Sequence, residues 1–499
     1  MWFSKKKSPR RSHVSKTITD ERFAYLGRLA NTDVLYSIAL WVVFVVGCIF
    51  ILSGKSLWQG EYPRVLSLSV ITILVSVGAG VYICQYQGRI IKNHARASAL
   101  VGLFILLLGI TKTAAVLSGK ESFATGTTVA ASIILTIAYY QRFALGMSIF
   151  YAVFACFATI PIAGVELFLT MSAGAVVCCF SLGEIRTRMK LLEVSLLVSM
   201  TVFITSSSLS LLSKPVSVEV FTVAGSHAVA ALIVGLLMQS LLPLIEKTFR
   251  IATSMTLIDH SDANHPLLKR LAMESPGTFS HSLLVGSIAE AAAEAIGRNG
   301  LLCRVGAYYH DIGKINKPHY FIENEAGSVN RHKELSPAMS QLIIVGHVKD
   351  GIEMAREYGL PAVLRQFIET HHGTTLIEYF YNEAKKKQDS KQSAPSETEF
   401  RYAGPKPRTK EAAIVMLADT VEGATRSLSE VTPTRIEAVV HNMAMKRLQD
   451  GQLDECDMSL RELHLIEKSM VKSFSAHYHG RIAYPTPADE PLEELKTED

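Results

Sequence analysis

Apolar positions along this chain follow two regimes. From Val34 to Ile245 they run almost uninterrupted, with 18 charged residues in 212 positions, and several stretches reach the roughly 20 residues an α-helix needs to cross a hydrocarbon core. After Ser275 they recur at three- and four-residue spacing, the period of helices that bury one face. The first regime predicts spans near 34–52, 65–84, 97–117, 126–140, 144–160, 165–182, 191–213 and 219–245: one anchor followed by seven. Only Gln141, Arg142 and Phe143 part the fourth span from the fifth. The first run follows a 33-residue polar leader and has no A-x-A-like exit, so an uncleaved anchor is expected.

The second regime predicts helices throughout and no period-2 strand. Ser280 can cap a helix carrying Leu283, Leu284, Ile288 and Ala292, with Gly297 near its end. Ser336-Pro337 is an N-cap and first-turn pair for a helix closing near Gly359. Pro361 opens another, which Gly373 stops, and Thr409 caps one reaching about Leu428. Residues 246–274 read as a linker helix, and 385–399, almost free of apolar side chains, as a mobile loop. The expected fold is all-α throughout, a polytopic transmembrane helical bundle (34–245) followed by an all-α soluble domain (275–475) and an acidic tail (476–499).

Composition narrows the classes. A chain of 499 residues that is 49% hydrophobic and 19% charged is neither a fully soluble enzyme nor a disordered protein. Five of its seven cysteines (Cys48, Cys84, Cys156, Cys178, Cys179) lie in apolar runs, and no CxxC pair exists, which argues against a disulfide scaffold and a thiolate zinc site. Charge orients the bundle. Residues 1–33 hold eight Lys/Arg against three acids, and the loops on their side carry Arg89, Lys92 and Arg96, then Arg142, then Arg186, Arg188 and Lys190. The opposite loops carry only Lys55, Arg64, Lys120 and Lys214. The positive-inside rule then puts both termini and the soluble domain in the cytoplasm. The leader lacks the interleaved aromatics of a nucleic-acid arm, so neither DNA nor RNA is an expected partner. Lys112, Glu166, Glu193 and Glu219 fall within spans but near their ends, where a charge can reach water.

Five features of the soluble domain suit chemistry: His281 early in a helix, His310-Asp311 ending one, His347 inside one, His371-His372 before Gly373, and Asp419 on a late helix. Each alone has a plain structural reading, as a helix-end dipole partner or a core polar group. Together they form a nitrogen and oxygen donor set suited to Fe, Mn, Co or Zn. A carboxylate can bridge two metals, and two bridged metals lower the pKa of a shared water and clamp a phosphoryl group for in-line attack.

The ordered set H…HD…H…HH…D resembles the HD-domain metal-dependent phosphohydrolases. Pro276 to Ser282, Tyr309 to Lys314, Phe400 to Pro407 and Glu411 to Leu428 are similar to one branch, the membrane-anchored seven-transmembrane HD phosphodiesterases of bacteria that hydrolyse cyclic di-AMP. That resemblance implies a multi-pass protein of the bacterial inner membrane, a cytoplasmic HD domain at 275–475, and hydrolysis of cyclic di-AMP to linear pApA. It implies two divalent metal ions, manganese or iron. His281, His310, Asp311 and Asp419 would hold one, and Asp311 would bridge to a second on His347, His371 and His372. Asp311 and Lys314 would be the catalytic pair, Lys314 meeting a phosphate oxygen, with Glu422 and Arg426 as supports behind the ligands. The expected partners are the cyclic dinucleotide, the lipid bilayer and, as a candidate, a second copy in a homodimer.

The chain departs from the branch at Ser280, where His is usual, at Ala403, where Pro is usual, and at Ser53–Arg64, which stands where a large extracellular domain is expected. Two other readings remain open: hydrolysis of another nucleotide, such as cyclic di-GMP or a nucleoside polyphosphate, and a membrane receptor that binds nucleotide without cleaving it. The HD-GYP enzymes, which act on cyclic di-GMP, carry a Gly-Tyr-Pro motif with no counterpart near His371-His372-Gly373-Thr374-Thr375.

Overall fold

The computed structural model describes residues 33–91, 93–159, 164–183, 187–249, 251–325, 331–387, 395–428 and 430–479. The basic leader, Lys92, Arg186, residues 388–394 of the expected loop and residues 480–499 of the expected tail lie outside them. The chain divides into two compact units, Met1–Met255 and Thr256–Asp499.

In the first unit eight helices stand where the apolar runs predict them: α1 (Asp33–Trp58), α2 (Tyr62–Gln87), α3 (His94–Ser118), α4 (Ser122–Ala138), α5 (Gln141–Ala158), α6 (Val165–Ser181), α7 (Arg188–Ser213) and α8 (Val218–Phe249). Six are long and apolar enough to cross a membrane, whereas α4 and α6 have 17 residues each. At 1.5 Å per residue those two fall a few ångströms short of a roughly 30 Å hydrocarbon core. The protein is a multi-pass membrane protein.

Helix α4 is the inner member, buried continuously from Ala124 to Leu135. Its polar groups are satisfied by neighbours. Thr125 Oγ1 lies 2.7 Å from His227 Nδ1, and Thr111 Oγ1 contacts both Thr127 Oγ1 (2.7 Å) and Tyr151 Oη (3.0 Å). Such side-chain bonds are the adhesive available where lipid offers no hydrophobic drive between helices. Two of the ionisable residues in the spans are held by polar partners at helix ends: Glu166 accepts from Ser213, and Glu193 pairs with Lys190.

Residues 246–274 do not form one linker helix. Helix α8 runs on to Phe249, and two short helices follow, α9 (Ser254–Ser261) and α10 (Pro266–Glu274). The break at 262–265 is local chemistry, since the backbone N–H and side-chain amide of Asn264 both donate to Asp262 Oδ1, an Asx turn that hands the chain to Pro266. Helix α10 buries Leu267, Leu268 and Leu271 within the second unit.

The second unit continues with α11 (Pro276–Ala295), α12 (Gly300–Tyr309), α13 (Pro337–Glu357), α14 (Ala362–Thr370), α15 (Glu378–Lys386), α16 (Lys410–Arg426), α17 (Pro433–Gln449) and α18 (Leu460–His479). Helix α18 thus claims residues 476–479, expected as tail, because its stripe of Leu463, Ile466, Met470 and Phe474 is buried against the core. Among the described residues the only β pairing is an isolated bridge, Leu376 to Arg401. Helix α16 is the centre of the unit, with Ala412 to Ala418 buried on every side. Ser336 and Thr409 cap as their sequences predict, accepting from the N–H groups of Met339 and Ala412.

Ser280 does not cap. It lies inside α11 and donates to the Pro276 carbonyl. The cap comes from a distant segment, where Asn324 Oδ1 accepts from the N–H groups of Gly277 and Thr278.

Candidate metal centre

Five segments converge. His281 projects from the second turn of α11, His310 and Asp311 end α12, His347 is buried in mid-α13, His371 and His372 follow α14, and Asp419 sits on α16. Gly313 allows one of these meetings. The 3-10 turn Ile312–Asn316 packs its glycine onto the backbone of His347 and Gly351, where a Cβ would collide with the His347 carbonyl.

The ligand atoms form two groups that share one carboxylate: His281, His310, Asp311 and Asp419, and Asp311, His347, His371 and His372. Within each group the donor atoms lie within 4.8 Å of one another. Asp311 divides its oxygens between them. Oδ2 lies 3.2 Å from His310 Nε2 and 3.6 Å from His281 Nε2, while Oδ1 lies 3.3 Å from His347 Nε2 and 3.4 Å from His371 Nε2. Asp419 closes the first group through Oδ1, 3.1 Å from His281 Nε2, and its Oδ2 is 3.9 Å from His372 Nδ1.

Hydrogen bonds behind the rings fix which nitrogen is available. Nδ1 of His310 faces the Ala307 carbonyl (2.6 Å), that of His347 the Ile344 carbonyl (2.5 Å), and that of His371 the carbonyls of Phe367 and Ile368 (3.1 and 3.0 Å). A carbonyl can only accept, so each Nδ1 carries a proton and each Nε2 is the nitrogen turned inward, where it can give a lone pair to a cation once any proton on it has left. His281 obtains the same orientation from Glu422, whose carboxylate lies 2.8 Å from Nδ1, and Arg426 braces Glu422 in turn.

Two consequences point to cations. His347 Nε2 and His371 Nε2 face each other at 3.2 Å, a repulsive meeting of lone pairs unless a cation or a proton lies between. His310 Nε2 and Asp311 Oδ1, both buried, have no hydrogen-bond partner, which is costly for groups removed from water. The residues fit divalent metal.

Electrostatics agree. Burial pushes the Asp311 and Asp419 carboxyls up, but the histidines around them, with Lys314 beside Asp311, hold both well below the usual range. Burial also opposes the charged form of His310, yet Asp311 and Asp419 push it up to about 10. His371 and His372 are held below the ordinary value by burial and by their histidine neighbours.

Lys314 is not free. Its ammonium lies 2.7 Å from Asp311 Oδ2 and 2.7 Å from Glu323 Oε1. An ammonium has three N–H donors, so one remains for a phosphate oxygen. Neither Glu323, which pairs with Lys314, nor Asn324, which caps α11, nor Arg447, which donates to Thr420, carries a local sequence pattern that marks it. Tyr402, within the Phe400 to Pro407 stretch, stacks its ring on His372 with centroids 4.3 Å apart.

Glu422→Gln should lower first-site metal affinity by roughly 10- to 100-fold, the usual cost of losing the carboxylate behind a ligating histidine. Competition against a chromogenic chelator reads the change directly, and an unchanged affinity would reduce Glu422 to a packing role.

Residues 278–424 match the family model of the HD domain, and residues 62–253 match the model described as 7TM receptor with intracellular HD hydrolase. The cyclic-di-AMP phosphodiesterase PgpH of Bacillus subtilis (strain 168) is 43% identical over 306 residues, covering 61% of this chain and 42% of that protein. PgpH of Listeria monocytogenes serotype 1/2a (strain 10403S) is 42% identical over 248 residues, covering 50% of this chain and 34% of that protein. This chain therefore spans less than half the length of these curated relatives. The crystal structure of the L. monocytogenes PgpH HD domain in complex with cyclic-di-AMP is 43% identical, covering 44% of this chain and all of that one, with a TM-score of 0.41.

Proposed function

We propose that the chain, which matches the seven-transmembrane and HD-domain family models over residues 62–253 and 278–424, is a membrane-bound, metal-dependent phosphodiesterase that opens cyclic di-AMP to linear pApA. The observation that carries the reading is the pair of donor groups joined through the two oxygens of Asp311, with four imidazoles oriented inward by bonds to Nδ1. His281, His310, Asp311 and Asp419 would hold one divalent ion, and Asp311, His347, His371 and His372 a second. When bound, the pair supplies Lewis-acid charge at the phosphoryl oxygens and an activated water. The all-nitrogen and oxygen donor set suits manganese or iron.

The chain's own groups do the rest. Asp311 and Asp419 keep negative charge where cations must sit, Lys314 offers its third N–H to a phosphate oxygen, and Tyr402 covers His372 at the edge of the site. The names of the sequence relatives support adenine as the base. The purified full chain with Mn²⁺, assayed against a panel of cyclic and linear nucleotides, should turn over cyclic di-AMP in preference to cyclic di-GMP and nucleoside polyphosphates. Binding of a dinucleotide with no hydrolysis would favour the receptor reading.

The Lys/Arg asymmetry of the loops supports a cytoplasmic site, with both termini on that side. Reporter fusions after Ser213 and after Lys247 are expected on opposite faces of the membrane. Reporters on the same face would sink this topology.

A further inference from the structure

Arg447 on α17 donates through Nε and Nη2 to Thr420 Oγ1, at 3.2 and 3.1 Å. Thr420 directly follows Asp419 on α16, so the guanidinium is bonded to the residue next in the chain to a candidate ligand. The two residues point about 100° apart on the helix, and Arg447 belongs to neither donor group.

Among the described residues, no carboxylate pairs with it. The acids that act on it from a distance are committed elsewhere: Asp419 to the histidines, Asp450 to Arg401 and Gln452, and Glu378 to Lys446. Burial disfavours its charge against the pull of those three acids. A guanidinium partly withdrawn from water with only a hydroxyl for company is a cation awaiting an anion. Tyr402, stacked on His372, borders the same edge.

A cyclic dinucleotide carries two phosphodiesters. If one meets the metals, the other keeps a negative charge that must also be met. Lys314 already serves Asp311 and Glu323. We propose that Arg447 binds the second, non-reacting phosphodiester of the substrate, its planar fork spanning two phosphate oxygens while Thr420 holds it in place. Arg447 is then what lets the site prefer a cyclic dinucleotide over a molecule with one phosphodiester. This rests on the phosphodiesterase reading above.

The test compares two substrates on the Mn²⁺-loaded full-length protein: cyclic di-AMP, with two phosphodiesters, and bis(4-nitrophenyl) phosphate, with one. For Arg447→Gln, KM for cyclic di-AMP should rise roughly tenfold or more, as loss of a charge-assisted hydrogen bond requires. Its kcat, its KM for the single diester and its manganese content should be nearly unchanged. Binding of pApA, followed by calorimetry, should weaken in parallel. Arg447→Lys, which keeps the charge and loses the fork, should show a smaller KM rise confined to the dinucleotide, and it carries the test if the glutamine variant does not fold. Equal losses on both substrates, or loss of manganese, would make Arg447 a support for Asp419 and overturn the assignment. So would an unchanged KM for cyclic di-AMP. Failure of the wild type itself to cleave cyclic di-AMP would instead overturn the phosphodiesterase reading, and this assignment with it.

Discussion

On the two-ion phosphodiesterase reading proposed above, Asp311→Asn is expected to strip both metals and abolish turnover of cyclic di-AMP. Among the described residues Asp311 is the ligand common to both donor groups, with Oδ2 toward His281 and His310 and Oδ1 toward His347 and His371. Asparagine keeps the shape but replaces one oxygen with an N–H₂ that can only donate, aimed at lone pairs. It also removes the charge that offsets the repulsion between two neighbouring divalent ions. The loss of affinity should exceed the roughly 100-fold that a supporting residue costs. His347→Ala should disturb mainly one ion, while Lys314→Met should leave metal content intact and impair phosphate binding. Elemental analysis beside turnover separates the three cases. An Asn variant that keeps two metals and near-normal hydrolysis would refute the shared-carboxylate arrangement.

The second large effect is on pH. In the metal-free protein, the charge of Asp311 and Asp419 is balanced by protons, with His310 held up to about 10 by those carboxylates. A cation must displace that proton, so apparent affinity should climb about tenfold per pH unit for each proton released. From pH 6 to pH 9 that is on the order of a thousandfold for one proton. The stability of the metal-free protein should move the other way. His310 has a folded value above its ordinary 6.5, so its contribution is complete below 6.5 and is lost as pH rises toward 10. Asp311 and Asp419, held below 3.8, contribute above that value and lose it as pH falls further. Chelated protein should therefore melt at lower temperature as pH is raised from 7 toward 10, and metal-loaded protein should not. A metal affinity flat across this range would mean that the cluster holds no exchangeable proton.

Much of this was readable in the residues, for identifiable reasons. Capping is local, so Ser336 and Thr409 announced their helices correctly. Most residues of the candidate donor groups sit in short patterns: a histidine-aspartate at a helix end, paired histidines before a glycine, an aspartate in an apolar helix. What escaped was supplied across distance. Asn324 caps α11 from 46 residues away, and Glu323 occupies Lys314 from a run of 3-10 turns with no periodicity. Ser280 looked like a cap because the sequence cannot show that Ser275-Pro276 begins the helix a turn earlier. The linker looked continuous because Asp262 and Asn264 act through side-chain bonds that hydrophobic patterning does not register.

The seven candidate ligands come from five segments spread between His281 and Asp419, and no disulfide ties them together. Bound ions would therefore act as removable cross-links, closing the chain between α11 and α16 in the way a covalent staple closes a loop. An ion present at a hundred times its dissociation constant adds about 2.7 kcal/mol to folding, and its departure withdraws that amount. A cell short of the metal would then lose this protein by proteolysis as well as by inactivity, since the opened domain is what a protease cuts. Metal supply would set how long each copy survives, and the protein's abundance would itself become a record of recent metal status.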